Sequence, residues 1–421
     1  MKIITASAVI TGNPGEIITD GAVLIEGDQI VAVGNRTEVS TLPQAENARL
    51  IDRPDDTLLP GLIDSHVHLA FDASDAPVEH MMSAADGMLL ALMLRNARAL
   101  LSVGVTTARD LGAPRYLDLV VKEAVESGMA LGPRLLVANR PITTTGGHCW
   151  FMGCERDDVA SLRRAVREHH RAGADLIKVM VTGGLMTPGS SPAKSQFDYD
   201  EVRTIVDEAR HLDKRVAAHV LGTPGIRTAV KAGVDTLEHC LWLGPNGVDE
   251  DVDLIAEIAD KRISVCPTAN ARSLKAAVVP PLDGADTSSS QALNNKQDRW
   301  LRMHRAGVLL IAGTDAGINR VPHEGYVDGL LALAEAGLSH HEVLVAATLR
   351  AAEACGVEQL VGSIAAGKQA DLVAVTGNPL VDLRLLRRPT LVMKAGQAID
   401  AGTISTQEWT ANTTAIQSHS S

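Results

Sequence analysis

The sequence predicts an α/β protein: a (β/α)8 barrel of the TIM-barrel type, joined to a small discontinuous β-sandwich domain that both chain ends build. Three observations carry this expectation. Eight short apolar runs, at residues 62–68, 105–110, 134–139, 176–182, 216–220, 236–241, 263–268 and 309–315, alternate with amphipathic stretches, and eight parallel strands close such a barrel. Turn-punctuated β-like segments occupy both ends, and neither group alone is large enough to bury a face. At 421 residues, 45% of them hydrophobic, the chain has the material for one large barrel and an accessory unit.

Residues 2–10, 21–26 and 29–33 read as short strands, with Gly27-Asp28 as the turn between the last two. From Leu59 the runs and helices begin to alternate; residues 199–212 and 223–232 are typical helical stretches, and 327–336 and 339–356 are the last of them. After Leu360 the β-like pattern returns at 370–376, 389–394 and 396–397, around the turn Gly377-Asn378-Pro379. The expected division is an end domain from residues 1–58 and 366–400, a barrel from 59–365, and a frayed polar tail from 401–421.

A formal net charge of −12, with no clustering of Lys and Arg, argues against a nucleic acid held through its phosphates. The chain does not open with a basic region and a long apolar run, and its most apolar stretch, residues 87–101, is broken by Arg95, Asn96 and Arg98. Neither a secretory leader nor a membrane span is expected. Five cysteines make an odd count with no CxxC pair, which points to reduced thiols in a cytoplasmic protein. The expected assembly is a homo-oligomer whose partner is a small molecule.

The chemistry concentrates at the ends of the apolar runs. His66 and His68 close the first, and the period of two along a strand turns both imidazoles to one side. His219 closes the fifth and His239 the sixth, at the barrel end where such folds keep their active sites. Asp315 closes the eighth; alone it would read as a helix N-cap, but with four histidines it completes a metal-binding constellation and can accept a proton. Lys178 lies inside the fourth run, where a charged amine is costly. It either pairs with an acid such as Asp175 or Glu208, or reacts with carbon dioxide to give a carbamate able to bridge two metals. His169-His170, on a helical stretch away from any strand end, reads as a solvated face.

Together His66, His68, Lys178, His219, His239 and Asp315 resemble the binuclear amidohydrolase superfamily. Residues 59–68 (LPGLIDSHVH) and 367–373 (GKQADLV) are typical of it, so the likeness spans nearly the whole chain. The order of Gly146-Gly147-His148, Ile177-Lys178-Val179-Met180, Ala218-His219, Leu237-Glu238-His239 and Gly313-Thr314-Asp315 is similar to the prolidase-like group, which includes Xaa-Pro dipeptidases and ochratoxin-degrading amidases. The resemblance implies two divalent ions, zinc being expected, on those six residues, with carbon dioxide taken up as N6-carboxylysine at Lys178. It also implies a water activated for attack on an amide carbonyl, with Asp315 moving the proton and His148 facing the substrate oxygen.

The expected substrate is a dipeptide or N-acyl amino acid with an apolar C-terminal residue. Many members of the group carry a tyrosine two positions after the strand-five histidine; Leu221 stands there and predicts an apolar pocket. Arg140, Arg320 and His323, in loops expected at the barrel mouth, are the candidate partners of a substrate carboxylate. The rival within enzymes is a cyclic amide or imide hydrolase, or a deaminase, on the same barrel. Such enzymes typically lack the strand-four lysine and carry Glu or Gln soon after the strand-five histidine, where this chain has Val220 to Thr223. A non-catalytic metal-binding homologue is disfavoured because every ligand position is filled.

Overall fold

The computed structural model describes residues 1–275 and 296–399. The polar tail expected at 401–421 lies outside the described residues. In chain order the strands are β1 (Lys2–Ile10), β2 (Ile17–Glu26), β3 (Gln29–Asn35), β4 (Arg49–Pro60), β5 (Leu62–Val67), β6 (Val105–Asp110), β7 (Arg134–Val137), β8 (Ile142–Thr143) and β9 (Cys154–Glu155). Then follow β10 (Leu176–Met180), β11 (Arg215–Gly222), β12 (Thr236–Gly244), β13 (Gly247–Val248), β14 (Ser264–Cys266), β15 (Leu372–Thr376), β16 (Leu391–Lys394) and β17 (Gln397–Ile399).

The two chain ends meet in one seven-stranded sheet of order β17-β16-β15-β4-β1-β2-β3. The β2–β3 hairpin turns at Gly27-Asp28, as expected, with Glu26 facing Gln29. β4 joins the groups: it runs parallel to β1 and antiparallel to β15. One face of this sheet buries Ile4, Val9, Val23, Leu58, Leu372 and Met393 together, which is why neither group stands alone.

The central strands, apart from the short β13, which is antiparallel to β12, are parallel and alternate with helices. β5-β6-β7 form one sheet, and β13-β12-β11-β10-β8-β9, with β14 on β12, form another. They are not a single continuous ladder. At one join, Asp175 N donates to the Val137 carbonyl at 2.9 Å, while the Asp175 carboxylate accepts from Val137 N at 2.8 Å. At the other, the eighth run makes only single bridges, Leu310 to Val265 and Ala316 to Val67. Backbone bonds from Ser65 N to the Ala312 carbonyl (3.1 Å) and from Asp315 N to the His66 carbonyl (2.8 Å) tie that run to β5.

The helices follow their local signals. Val159–Ala172 starts at a capping box of Asp158 and Ser161 and ends at Gly173 in the left-handed region. Its buried stripe is Leu162, Ala165, Val166 and His169, and this corrects the reading of His169-His170 as a solvated pair. His169 falls seven positions after Leu162, on the apolar face, and its ring nitrogens meet the Ala165 and Arg140 carbonyls at 2.6 and 2.7 Å. Only His170 is exposed. Among the described residues no helix is long and apolar enough to cross a membrane.

Candidate metal centre

His66 is the last residue but one of β5, with its side chain buried, and His68 follows one residue past the strand. The Nε2 atoms of both converge on Asp315 Oδ1, at 3.4 Å from His66 and 3.3 Å from His68. The other side of each ring is fixed. His66 Nδ1 lies 2.8 Å from Glu238 Oε2, and His68 Nδ1 lies 3.2 Å from the Gly112 carbonyl. A carboxylate or carbonyl accepts, so Nδ1 carries the hydrogen in both rings and each Nε2 keeps its lone pair.

Glu238 is itself held from three sides. Arg109 Nη2 donates to Oε1 at 2.8 Å and Thr236 Oγ1 donates to the same atom at 2.6 Å. Burial opposes its charge, but Arg109 and His66 outweigh burial and keep its carboxyl well below the usual carboxylate range. Asp315 shows the same balance: burial is overcome by His66, His68 and His239.

His219 and His239 come from β11 and β12, with ring centroids 4.7 Å apart. His219 Nε2 lies 3.2 Å from the Gly183 carbonyl, which leaves Nδ1 with its lone pair. His239 Nδ1 is 3.0 Å from the Thr268 hydroxyl and 4.0 Å from Asp315 Oδ2. Burial, followed by neighbouring positive groups, pushes His219 far below the normal histidine range; burial also leads for His239. Neutral imidazoles are the form that binds a metal. His239 and Asp315 both have positive φ, 73° and 61°, which turns the backbone out of the extended strand at each.

Lys178 is 1% exposed on β10, and its Nζ has no hydrogen-bond partner. The acids considered for it are taken: Asp175 by Lys122 at 2.7 Å, and Glu208 by Arg167 at 2.6 Å. Burial draws its pKa downward, which favours the neutral amine that can react as a nucleophile. Oriented imidazole lone pairs, an ionised carboxylate and an orphaned buried amine fit a metal centre.

His148 is buried with its ring centroid 4.5 Å from that of His219. Its Nδ1 lies 3.1 Å from Thr187 Oγ1, its backbone N donates to Gln196 Oε1 at 2.7 Å, and burial followed by the Lys178 charge lowers its pKa to about 3. Gly184 leaves room for this ring, because a Cβ there would collide with it. Above the cluster opens a cavity of about 1420 Å³, lined by His148, Lys178 and the other histidines. It exceeds the roughly 300–1,000 Å³ usual for small-molecule sites and has room for a substrate of dipeptide size or larger. Leu221, Leu241 and Leu243 form one apolar patch of its wall.

The three loop cations lie elsewhere; none lines the cavity. Arg140 stacks on Tyr116, 4.7 Å from the ring centroid, and donates to its hydroxyl. Arg320 is bound at the surface to Asp75 at 2.6 Å. His323 is buried beneath the centre, where burial lowers it to about 3 and its Nε2 donates to the His68 carbonyl at 3.2 Å. A strand-end loop places a residue near the mouth but does not decide which way its side chain turns. Sequence reasoning also missed Glu238 and Arg109, whose signal was opposite charges inside two apolar runs, and Arg272 and Lys296, which do line the cavity.

Parallel strands ending in clustered histidines and an aspartate, beneath a cavity, define the class of metal-dependent hydrolases on a TIM-barrel-like α/β fold. The chain belongs to the amidohydrolase family, whose sequence profile matches residues 57–399. It is 28% identical to ochratoxinase from Aspergillus niger over 94% of this chain and 86% of that one. It is 25% identical to imidazolonepropionase from Streptomyces coelicolor, over 94% and 96% respectively. Among solved structures, a Xaa-Pro dipeptidase with bound methionine in its active site superposes with a TM-score of 0.83 at 27% identity, over 95% of this chain and 99% of that one. These neighbours place it with the prolidase-like amidohydrolases.

Proposed function

We propose that the protein hydrolyses the amide bond of a dipeptide or N-acyl amino acid whose C-terminal residue is apolar, using two divalent metal ions, preferably zinc. His66, His68, His219, His239 and Asp315 would hold the ions, with Lys178 between them as its carbamate; the barrel strands are taken as one closed ring around this centre. Bound there, the metals would supply an acidified water and polarise the carbonyl. The observation that carries the reading is the convergence of His66 Nε2 and His68 Nε2 on Asp315 Oδ1, next to a buried lysine with no partner.

Asp315 stays ionised, so it can take a proton from the attacking water at a carboxylate oxygen and return it to the leaving nitrogen. The Thr187 hydroxyl accepts from Cys149 N at 3.0 Å and has its own hydrogen free for His148 Nδ1. His148 then carries a hydrogen on Nε2 and can donate it to the developing oxyanion. The apolar patch around Leu221 receives the substrate side chain and excludes water.

The similarity to ochratoxinase and to a Xaa-Pro dipeptidase supports this substrate class. A second reading, hydrolysis of a cyclic amide, is favoured by the imidazolonepropionase relative. Assay of the zinc-loaded protein on N-acyl-phenylalanine, apolar dipeptides and a simple lactam separates the two. Faster cleavage of the linear amides supports the proposal, and preference for the lactam overturns it. Metal analysis after desalting should give two ions per chain in the wild type. Lys178→Ala should give fewer, partly restored by added short-chain carboxylate.

A further inference from the structure

Three cations of the cavity wall, Lys194, Arg272 and Lys296, have no role in the chemistry described so far; Lys194 is exposed, and the other two are partly buried. Arg272 lies in the turn Ala271–Ser273, beyond β14, and Lys296 opens the helix Lys296–Arg305; both line the cavity that holds Asp315 and the histidines. Among the described residues neither has an acidic ion-pair partner. Arg272 Nη1 donates to the Asn319 carbonyl at 3.3 Å, and Lys296 Nζ lies 5.6 Å from the centre of the Trp300 ring. Nearby cations are matched: Arg320 with Asp75, and Arg302 with Glu250. Burial, followed by the Arg272 and Arg299 charges, draws Lys296 down to about 8, while burial and then Arg320 lower Arg272. Positive charges that repel one another around an open cavity leave a place for an anion.

We propose that Arg272 and Lys296 form the subsite for the free α-carboxylate of the leaving amino acid, Arg272 as a two-pronged donor and Lys296 as a point charge. This rests on the amide-hydrolase reading above. The pair takes the place expected of Arg140, Arg320 and His323, none of which lines the cavity. Arg272 and Lys296 both line the same cavity as Asp315. With the carboxylate anchored there, the patch of Leu221, Leu241 and Leu243 in the same cavity takes the apolar side chain.

The test is equilibrium binding of 3-phenylpropanoate and of 3-phenylpropan-1-ol, two probes with no amide bond, to the zinc-loaded wild type and to Arg272→Met and Lys296→Met. The wild type should prefer the acid by about tenfold or more, as a charge-assisted contact implies. Each variant should lose most of that preference while its affinity for the alcohol stays unchanged. In turnover of N-acyl-phenylalanine the loss should fall on KM rather than kcat. Arg272→Gln and Lys296→Gln serve in the same way if a methionine variant fails to fold. If the preference for the acid survives in both variants, the carboxylate is held elsewhere and the proposal is overturned. If the binding results hold but no linear amide is cleaved, the subsite stands and the hydrolase reading falls.

Discussion

Beneath His66, the Arg109 guanidinium meets Glu238 Oε1 at 2.8 Å and the Ser65 carbonyl at 2.6 Å, whereas on β10 the equally buried Lys178 amine meets nothing. The first region is electrically complete from protein atoms alone. The second leaves an amine buried without a hydrogen-bond partner, which burial draws toward its neutral form. The contrast separates two uses of buried charge: the Arg109–Glu238 pair fixes the His66 ring through protein atoms, and the Lys178 amine faces the cavity without a hydrogen-bond partner.

The largest effect expected is on rate. Asp315→Asn removes the proton acceptor with little change of shape, so kcat should fall by about 10²–10⁴. A near-normal kcat with unchanged metal content would move the base elsewhere in the cavity. Next comes the comparison itself, tested by urea unfolding of metal-free protein. Arg109→Met strands the Glu238 carboxylate and should cost about 3–5 kcal/mol, while Lys178→Met removes a buried amine without a hydrogen-bond partner and should leave stability equal or higher. Equal losses in the two variants would mean that Lys178 has a partner in solution and would erase the distinction.

Smaller effects sharpen the picture. Gly184→Ala drives a methyl into the His148 ring. It should cost about 1–3 kcal/mol through overpacking, and it should lower kcat more than it raises KM, read from steady-state kinetics. Thr236→Val deletes one of the hydrogen bonds to Glu238 and should cost about 1 kcal/mol in thermal or urea unfolding, with Arg109 still in place. A loss as large as that of Arg109→Met would show that the hydroxyl, and not the guanidinium, holds the carboxylate.

Much of this was legible because strands and metals impose short, strict spacings. His66 and His68 are two apart at the end of one strand, and His219, His239 and Asp315 each fall at the end of an apolar run, so pattern alone singled them out together. Lys178 stood out because a lysine in an apolar run has few explanations. Seven of the eight runs are strands; the eighth is held by single bridges, with Asp315 at positive φ breaking the extended backbone. The apolar runs could not reveal that the end sheet threads β4 between β1 and β15, nor that it is one ladder where a sandwich was expected. Loop directions were equally hidden, since Arg140 turns to Tyr116 through a stacking contact that no spacing encodes. Arg272 escaped notice because a one-turn helix beyond β14, and not a strand end, swings it inward.

The end sheet also sets an order of events during synthesis. Thr57 Oγ1 donates to the Gly377 carbonyl at 2.6 Å across 320 positions, and β4 pairs on that side with β15. On the ribosome, at roughly 5–20 residues per second, the edge of β4 facing β15 stays bare while the whole barrel is made. That edge carries Leu58 and Leu59 directly ahead of the strand bearing His66, so a chain halted before Leu372 exposes an apolar template for wrong pairing. Release of the last strands is therefore the step at which the nascent chain ceases to be sticky.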